Sequence, residues 1–316
     1  MNKFSLLFLQ NITPLHIGCG QDVGIVDLPI IRERITGYPY IPGSGFRGCL
    51  RNYFKNTGDE EQVKALFGPD PGAEEGSANE YAGCLAIHDA HILLFPVRCS
   101  DHVFVWITCP HVLHQFNRII NTFTPEPEYL AQIPLIPLKE TEFFAPLNFS
   151  PEMLYLEEYK FTAASLKINE SEDETEQEKK TEWFNNQKSG FKSWLGKIEE
   201  KQGLDISQKT VLVSDRAFYQ FVNYATIIME HNTLTTTKTV KQGALFSVES
   251  VPPETLFYSI IGTTKARYEQ RQDMDAETAM ASFYDTLFMD SESIKALQIG
   301  GDEGTGLGVT RLTRIL

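Results

Sequence analysis

The sequence predicts an α+β fold with a ferredoxin-like core, and two observations carry that prediction. Segments with strand character interleave irregularly with segments of helical period, which suits α+β better than a doubly wound parallel sheet. The chain has 316 residues, 42% of them hydrophobic and 21 of them Phe, enough for a sizeable core in one large domain or two. No internal repeat is evident. In chain order, residues 4–12 read as a strand and residues 44–55 as a helix. Ser44 is a suitable N-cap, because its hydroxyl can accept from an early helical N–H. Phe46, Leu50, Tyr53 and Phe54 recur at i, i+4, i+7 and i+8 and form one apolar stripe. Residues 85–95, 103–109 and 210–213 read as strands. Ser214 then caps a helix in which Phe218, Phe221, Val222 and Ala225 keep the i, i+3, i+4, i+7 rhythm. Residues 256–263 read as strand, 277–289 as helix and 307–314 as the final strand.

A linker-like excursion leaves this core near Phe123. Proline-rich TPEPEY (124–129) and IPLIPL (133–138) lead into an acidic stretch. Between Asn169 and Glu182 lie seven acids and two lysines, a charge of −5 with almost no apolar residue. It reads as a mobile or solvated insertion, within an excursion of about 124–209.

The densest chemistry lies between Thr13 and Arg51. A strand ends in a glycine-broken turn bearing His16, a second loop carries Asp22 and Asp27, and a third, PGSG, opens a helix. Glycines such as Gly43 and Gly45 let backbone approach a ligand, and the N–H groups of a helix start attract phosphate. Arg47, Arg51 and Lys55 form a cationic stripe at i, i+4 and i+8. Residues 30–55 carry +4 in a chain of −14, and a local basic patch in an acidic protein asks for an anionic partner. The plain alternative for such a stripe is a solvated helix face.

Other tempting residues have plainer readings. His88 and His91 are three apart in a segment read as strand, where i and i+3 face opposite sides. His111 and His114 can share a helix face, with no third metal ligand nearby in sequence. The loop from Gly300 to Gly308 lacks a following Walker lysine, so a turn before the last strand is its simple reading. Within it Asp302 and Glu303 suit hydrogen bonds to the loop's own backbone, or contact with a neighbouring subunit, better than a metal.

The strings TPLHIG, GIVDLPIIRERITGYPYIPGS and FRGCLR together resemble the N-terminus of the RAMP proteins of CRISPR systems. Within them the chain is most similar to the backbone ribonuclease subunit of type III-B (Cmr-type) effector complexes. VDLPIIRERITG is the discriminating string. HDAHILLFPVRCSDHVFVWITCPHVLHQF (88–116), LVSDRAFYQFVNYAT (212–226), TVKQGALFSVESVPPETLFYS (239–259) and IGGDEGTGLGVTRL (299–312) extend the resemblance over nearly the full length.

The resemblance implies a single RAMP domain over 1–316, with a ferredoxin-like, RRM-like palm. It implies a thumb hairpin at about 229–247 and RNA contact through the glycine-rich loop and that hairpin. Asp27 matches the family's cleavage aspartate in V-D-x-P, and His16 matches the histidine of TPxHxG; Asp22 stands beside them in support. The RNA-binding set becomes Gly43, Ser44, Gly45, Arg47, Arg51, Lys55, Lys238, Lys241, Gly301, Gly304 and Gly306. The implied activity is a metal-dependent endoribonuclease that cuts target RNA by attack of its own 2′-hydroxyl, with Mg²⁺ or Mn²⁺ held partly by Asp27. The implied partners are guide RNA, target RNA, further copies of the chain and the other subunits of a type III complex.

Two departures stand out. Glu230 and His231 occupy the thumb where the family tends to be basic, and Leu307 stands where a cation could touch the guide backbone. A binding-only backbone subunit is the alternative, and the presence of Asp27 favours the cutting one. A stand-alone guide-processing endonuclease fits the VDLPIIRERITG string less well.

Composition narrows the class further. The five cysteines are widely spaced with no CxxC pair, so neither a zinc knuckle nor a disulfide framework is indicated. No run is long enough to cross a bilayer, and the amino-terminus lacks signal-peptide order. The expectation is a reduced, cytoplasmic protein without membrane contact.

Overall fold

A computed structural model describes residues 2–21, 24–70, 81–123, 129–166, 173–241, 244–289 and 294–315. Asp22, most of TPEPEY and the first acids of the acidic stretch lie outside these residues. The elements run in the order β1 (Lys3–Asn11), β2 (Tyr40–Ile41), α1 (Gly43–Thr57), α2 (Glu60–Phe67), β3 (Leu85–Ile87), β4 (Ala90–Cys99), β5 (Val103–Thr108) and α3 (Pro110–Phe123). Then come β6 (Glu142–Phe144), β7 (Met153–Leu156), β8 (Tyr159–Ala163), α4 (Glu174–Gln202), β9 (Thr210–Val213) and α5 (Asp215–Tyr224). The chain closes with β10 (Ile227–His231), β11 (Phe246–Ser250), β12 (Leu256–Thr263), α6 (Ala276–Leu287), β13 (Ile294–Gln298) and β14 (Val309–Arg314). This is the mixed α+β order expected of a ferredoxin-like palm.

Two compact units divide the chain. The first comprises residues 1–32, 39–91 and 227–316, and the second 33–38 and 92–226. In the first, β1 lies between β12 and β14, and β13 pairs with β14, all antiparallel. Leu6, Leu7, Phe8 and Leu9 of β1 are all fully buried, so both faces of this strand are covered. A continuous apolar run is what a doubly covered strand needs, and each such side chain contributes about 1.5–3 kcal/mol. Phe54 of α1 stacks on Phe283 of α6 at 5.4 Å, and Phe46 and Leu50 are buried with it, as the apolar stripe required.

The start of α1 differs from its expectation. Ser44 does not cap it; the helix begins one residue earlier, after Pro42, with no cap from its own side chains. Asp89, in the break between β3 and β4, accepts from the Gly43 N–H at 2.7 Å instead. A carboxylate at a helix start satisfies an orphan donor and suits the helix dipole wherever in sequence it comes from. Gly43 itself is a packing residue: a Cβ there would lie 2.5 Å from the Ile87 carbonyl oxygen.

In the second unit β5 pairs antiparallel with β4 and parallel with β9. β6 pairs antiparallel with β9 and parallel with β8, and β7 pairs antiparallel with β8. The acidic stretch, expected as a mobile or solvated insertion, is from Glu174 onward the first half of the 29-residue α4. Asp173 caps it by accepting from Glu176, and acids in the first turn favour the helix dipole. Its second half buries Phe191, Trp194, Leu195 and Ile198 at i, i+3, i+4 and i+7, and Trp194 donates to the Tyr129 carbonyl at 3.2 Å. Gly203, at φ 63°, ends the helix. Among the described residues, no helix is long and apolar enough to cross a membrane.

Candidate functional site

The Asp27 loop is held by β11, the second strand of the β10–β11 hairpin. The Leu28 N–H donates to the Ser247 carbonyl and the Glu249 N–H to the Leu28 carbonyl, both at 3.0 Å. Ser247 grips Asp27 at both ends. Its hydroxyl accepts from the Asp27 N–H at 3.0 Å, and its own N–H and hydroxyl donate to Asp27 Oδ2 at 2.8 and 2.9 Å. These bonds, the backbone N–H first, hold the Asp27 carboxyl below the ordinary carboxylate range. Both donors go to one oxygen; among the described residues none donates to Oδ1. Asp27 is partly exposed, so this oxygen belongs to an ionised carboxylate with capacity left over.

His16 lies against the same strand. Its Nδ1 donates to the Glu249 carbonyl at 2.6 Å, which fixes the ring, and the residue is 8% exposed. The Gly301 N–H donates to the His16 carbonyl at 2.9 Å. A Cβ on Gly300, whose φ is 85°, would lie 2.3 Å from that carbonyl oxygen. The glycine-rich loop therefore joins β13 to β14 as a turn and docks on the His16 turn. Space around Gly304 and Gly306 is open.

This loop also meets α1. A groove of about 370 Å³ is lined by Gly48, Cys49, Asn52 and Asn56 of α1, with Gln298 and Glu303 opposite. Burial pushes the Cys49 thiol up, partly offset by the Gly300 backbone. The cationic stripe has other partners. Arg47 donates to the carbonyls of Leu85 and Phe67 at 2.6 and 2.8 Å and covers the Phe67 ring. Arg51 donates to the carbonyls of Phe67, Gly68 and Pro69 at 3.2, 3.0 and 2.7 Å. These carbonyls finish α2, whose end would otherwise lack partners. Burial, with Arg51 alongside, pushes the Arg47 guanidinium down. Lys55 pairs with Asp70 at the exposed end of the stripe.

Lys238 and Lys241 are exposed on the segment joining β10 to β11. Lys238 takes a left-handed φ of 61° in a turn where the hydroxyls of Thr235, Thr237 and Thr239 bond one another at 2.8–3.3 Å. Around it Leu234 and Val240 form an isolated bridge, each more than half exposed.

The first unit thus brings His16, Asp27, the C-terminal glycine loop and α1 together; Asp22 lies outside the described residues. Sequence reasoning missed Ser247 and Glu249, which hold the site. FSVES alternates polar residues along a strand, and only the structure shows that Ser247 and Glu249 are buried, at 5% and 7% exposure. Among the described residues, no group of three or more His, Cys, Asp or Glu converges as a metal site. Asp27 offers one oxygen. That fits a cation such as Mg²⁺, which takes one or two carboxylates and completes its shell with water and substrate phosphate.

Residues 8–311 match the model of the RAMP superfamily. The chain is 31% identical to the CRISPR system Cmr endoribonuclease Cmr4 of Pyrococcus furiosus, across 98% of this chain and 95% of that protein. It is 22% identical to the CRISPR system CMR subunit Cmr4 of Saccharolobus solfataricus, across 96% and 94%. The crystal structure of oligomeric Cmr4 from Pyrococcus furiosus superposes with a TM-score of 0.66 at 25% identity, covering 99% of both chains. A chain of the type III-B Cmr-beta complex bound to cognate target RNA shares the fold, with a TM-score of 0.71 at 18% identity over 99% and 97%.

Proposed function

The chain belongs to the RAMP superfamily, as a Cmr4-like member, and on that premise we propose that it is the cutting backbone subunit of a type III-B effector complex. Copies of the chain line up along a guide RNA with the other subunits, and each cuts the paired target RNA at its own position. The observation that supports cutting is Asp27: an ionised loop carboxylate with Oδ2 committed to Ser247 and no described donor on Oδ1.

RNA carries its own nucleophile, the 2′-hydroxyl. The protein must supply in-line geometry and relieve charge at the phosphate. The bonds from Ser247 make Asp27 a weak base, so proton removal is not the task it suits best. Holding a divalent cation through Oδ1 suits it better. When bound, such a cation, Mg²⁺ or Mn²⁺, relieves phosphate charge and lowers the pKa of a coordinated hydroxyl. His16 orients the loops around Asp27 through the Glu249 carbonyl and Gly301. The open glycines of the C-terminal loop suit close approach of a guide backbone, and Lys238 and Lys241, exposed on the hairpin, supply cations for the phosphates of the paired strand. The chain's net charge of −14 opposes self-association, so guide phosphates are the expected link between copies.

The test is reconstitution with guide RNA and labelled target. Asp27→Ala should cut at least about 100-fold more slowly while assembling and binding target normally. Undiminished cutting would overturn the assignment of Asp27 as the cutting residue.

A further inference from the structure

Glu249 occupies the centre of the Asp27 site without touching Asp27. Its Oε2 accepts from the Ile30 N–H at 3.1 Å, and its Oε1 from the Arg32 guanidinium at 2.6 Å. Its N–H holds the Leu28 carbonyl, and its own carbonyl holds His16. One residue of β11 thus engages positions 28, 30 and 32 of the Asp27 segment and the His16 ring. The Glu249 side chain is 9% exposed and that of Arg32 21%. A carboxylate so little exposed needs its charge answered, and Arg32 answers it from the segment to be held. Hydrogen bonds between two loops and a strand could have been made by neutral groups. A charged pair resists sliding more strongly, because either charge left alone in a half-buried place is costly.

We propose that Glu249 is a positioning residue for Asp27: with Arg32 it latches residues 28–32 onto β11, so that Ser247 meets Asp27 in one register and Oδ1 is presented at one place. The proposal rests on Asp27 as the cutting carboxylate. It ties cutting to the β10–β11 hairpin, because the strand that holds Asp27 is the hairpin's own. A hairpin displaced by a badly paired target would carry the latch, and Asp27, with it.

The experiment compares three variants in the full complex with guide RNA: Asp27→Ala, Glu249→Gln and Arg32→Gln. Single-turnover cutting and target affinity are measured for each. Glu249→Gln keeps the side chain's shape and an acceptor for Ile30, but removes the charge that faces Arg32. It should cut at least about tenfold more slowly with target Kd within about twofold, since small misplacements of a reacting group cost rate rather than binding. Arg32→Gln should show a smaller loss of the same kind. Wild-type cutting by Glu249→Gln overturns the proposal, and so does a parallel loss of binding and cutting, which marks a purely structural role. If Glu249→Gln fails to assemble, Arg32→Gln decides, and wild-type cutting by it overturns the latch. Wild-type cutting by Asp27→Ala, by contrast, removes the underlying reading rather than the latch alone.

Discussion

The Asp27 loop and the cationic face of α1 use their charges in opposite ways. On α1, Arg47 and Arg51 direct five hydrogen bonds at backbone carbonyls around the end of α2 and the start of β3. In the loop, Asp27 is steadied through one oxygen, and the other receives no bond from a described residue. Charge type and spacing make both regions look ready for a ligand. Counting where each donor and acceptor goes separates them. A charge turned onto the carbonyls of its own chain serves the fold first; a carboxylate held through one oxygen keeps the other for something from outside.

The largest expected effect breaks the comparison at its reactive end. Asp27→Asn keeps the loop's shape and can still accept from Ser247, yet it removes the charge. Cutting should fall at least about 100-fold with thermal stability unchanged. A cutting Asn variant would mean that the second oxygen is no more available to chemistry than the α1 arginines are.

Arg51→Ala should do the reverse. Three bonds to the end of α2 are lost, and stability should fall by about 2 kcal/mol, read as a lower Tm or denaturation midpoint. The guanidinium is turned onto these three carbonyls, so guide binding should keep its dependence on salt. A log–log salt slope shallower by about 0.7 would show that Arg51 neutralises a phosphate as well.

Ser247→Ala sharpens the comparison more gently. The bonds from Ser247 lower the Asp27 pKa in the folded chain, the backbone N–H most of all. They therefore stabilise the fold above the unfolded carboxylate pKa, and that contribution is lost as pH falls through the lowered value. Removing the hydroxyl should move the Asp27 titration part of the way up toward about 3.9, followed by carboxylate NMR. No movement would mean that the backbone N–H alone sets it. The smallest effect belongs to Lys55→Ala. Its pair with Asp70 is exposed on both sides, so stability should change by less than about 0.5 kcal/mol.

About half of the strands and helices were legible because they announce themselves locally, while α2, α3, α4 and β6 to β8 went unread. Residues 4–12 read as a strand and Phe46, Leu50, Tyr53 and Phe54 as one helix face, of which all but Tyr53 are buried. What was missed came from long-range partners. Asp89 caps a helix that begins 46 residues earlier, and nothing within α1 shows it. The acidic stretch hid a helix because its apolar stripe begins only at Phe184, after the acids of the stretch. In the site, Asp27 and His16 were legible as chemistry-bearing residues in glycine-broken loops. Their holders were not: Ser247 and Glu249 lie some 220 residues away, on a strand whose own alternation carries no mark of what it will meet.

The placement of β1 has a consequence in time. Its residues Lys3–Gln10 pair on one side with Leu256–Thr263, and Leu7–Asn11 on the other with Thr310–Arg314. During synthesis its full partner set does not exist until the last strand has left the ribosome. At 5–20 residues per second, about 300 residues take roughly 15–60 s. Until Thr263 has emerged both edges of this apolar strand are unpaired, and one stays so until β14 emerges. Residues 92–226, whose strands pair among themselves, can close much sooner. Nascent chains of this protein should therefore depend on chaperones at β1 rather than in residues 92–226. A truncation that removes only β14 should also leave a first unit that expresses insolubly.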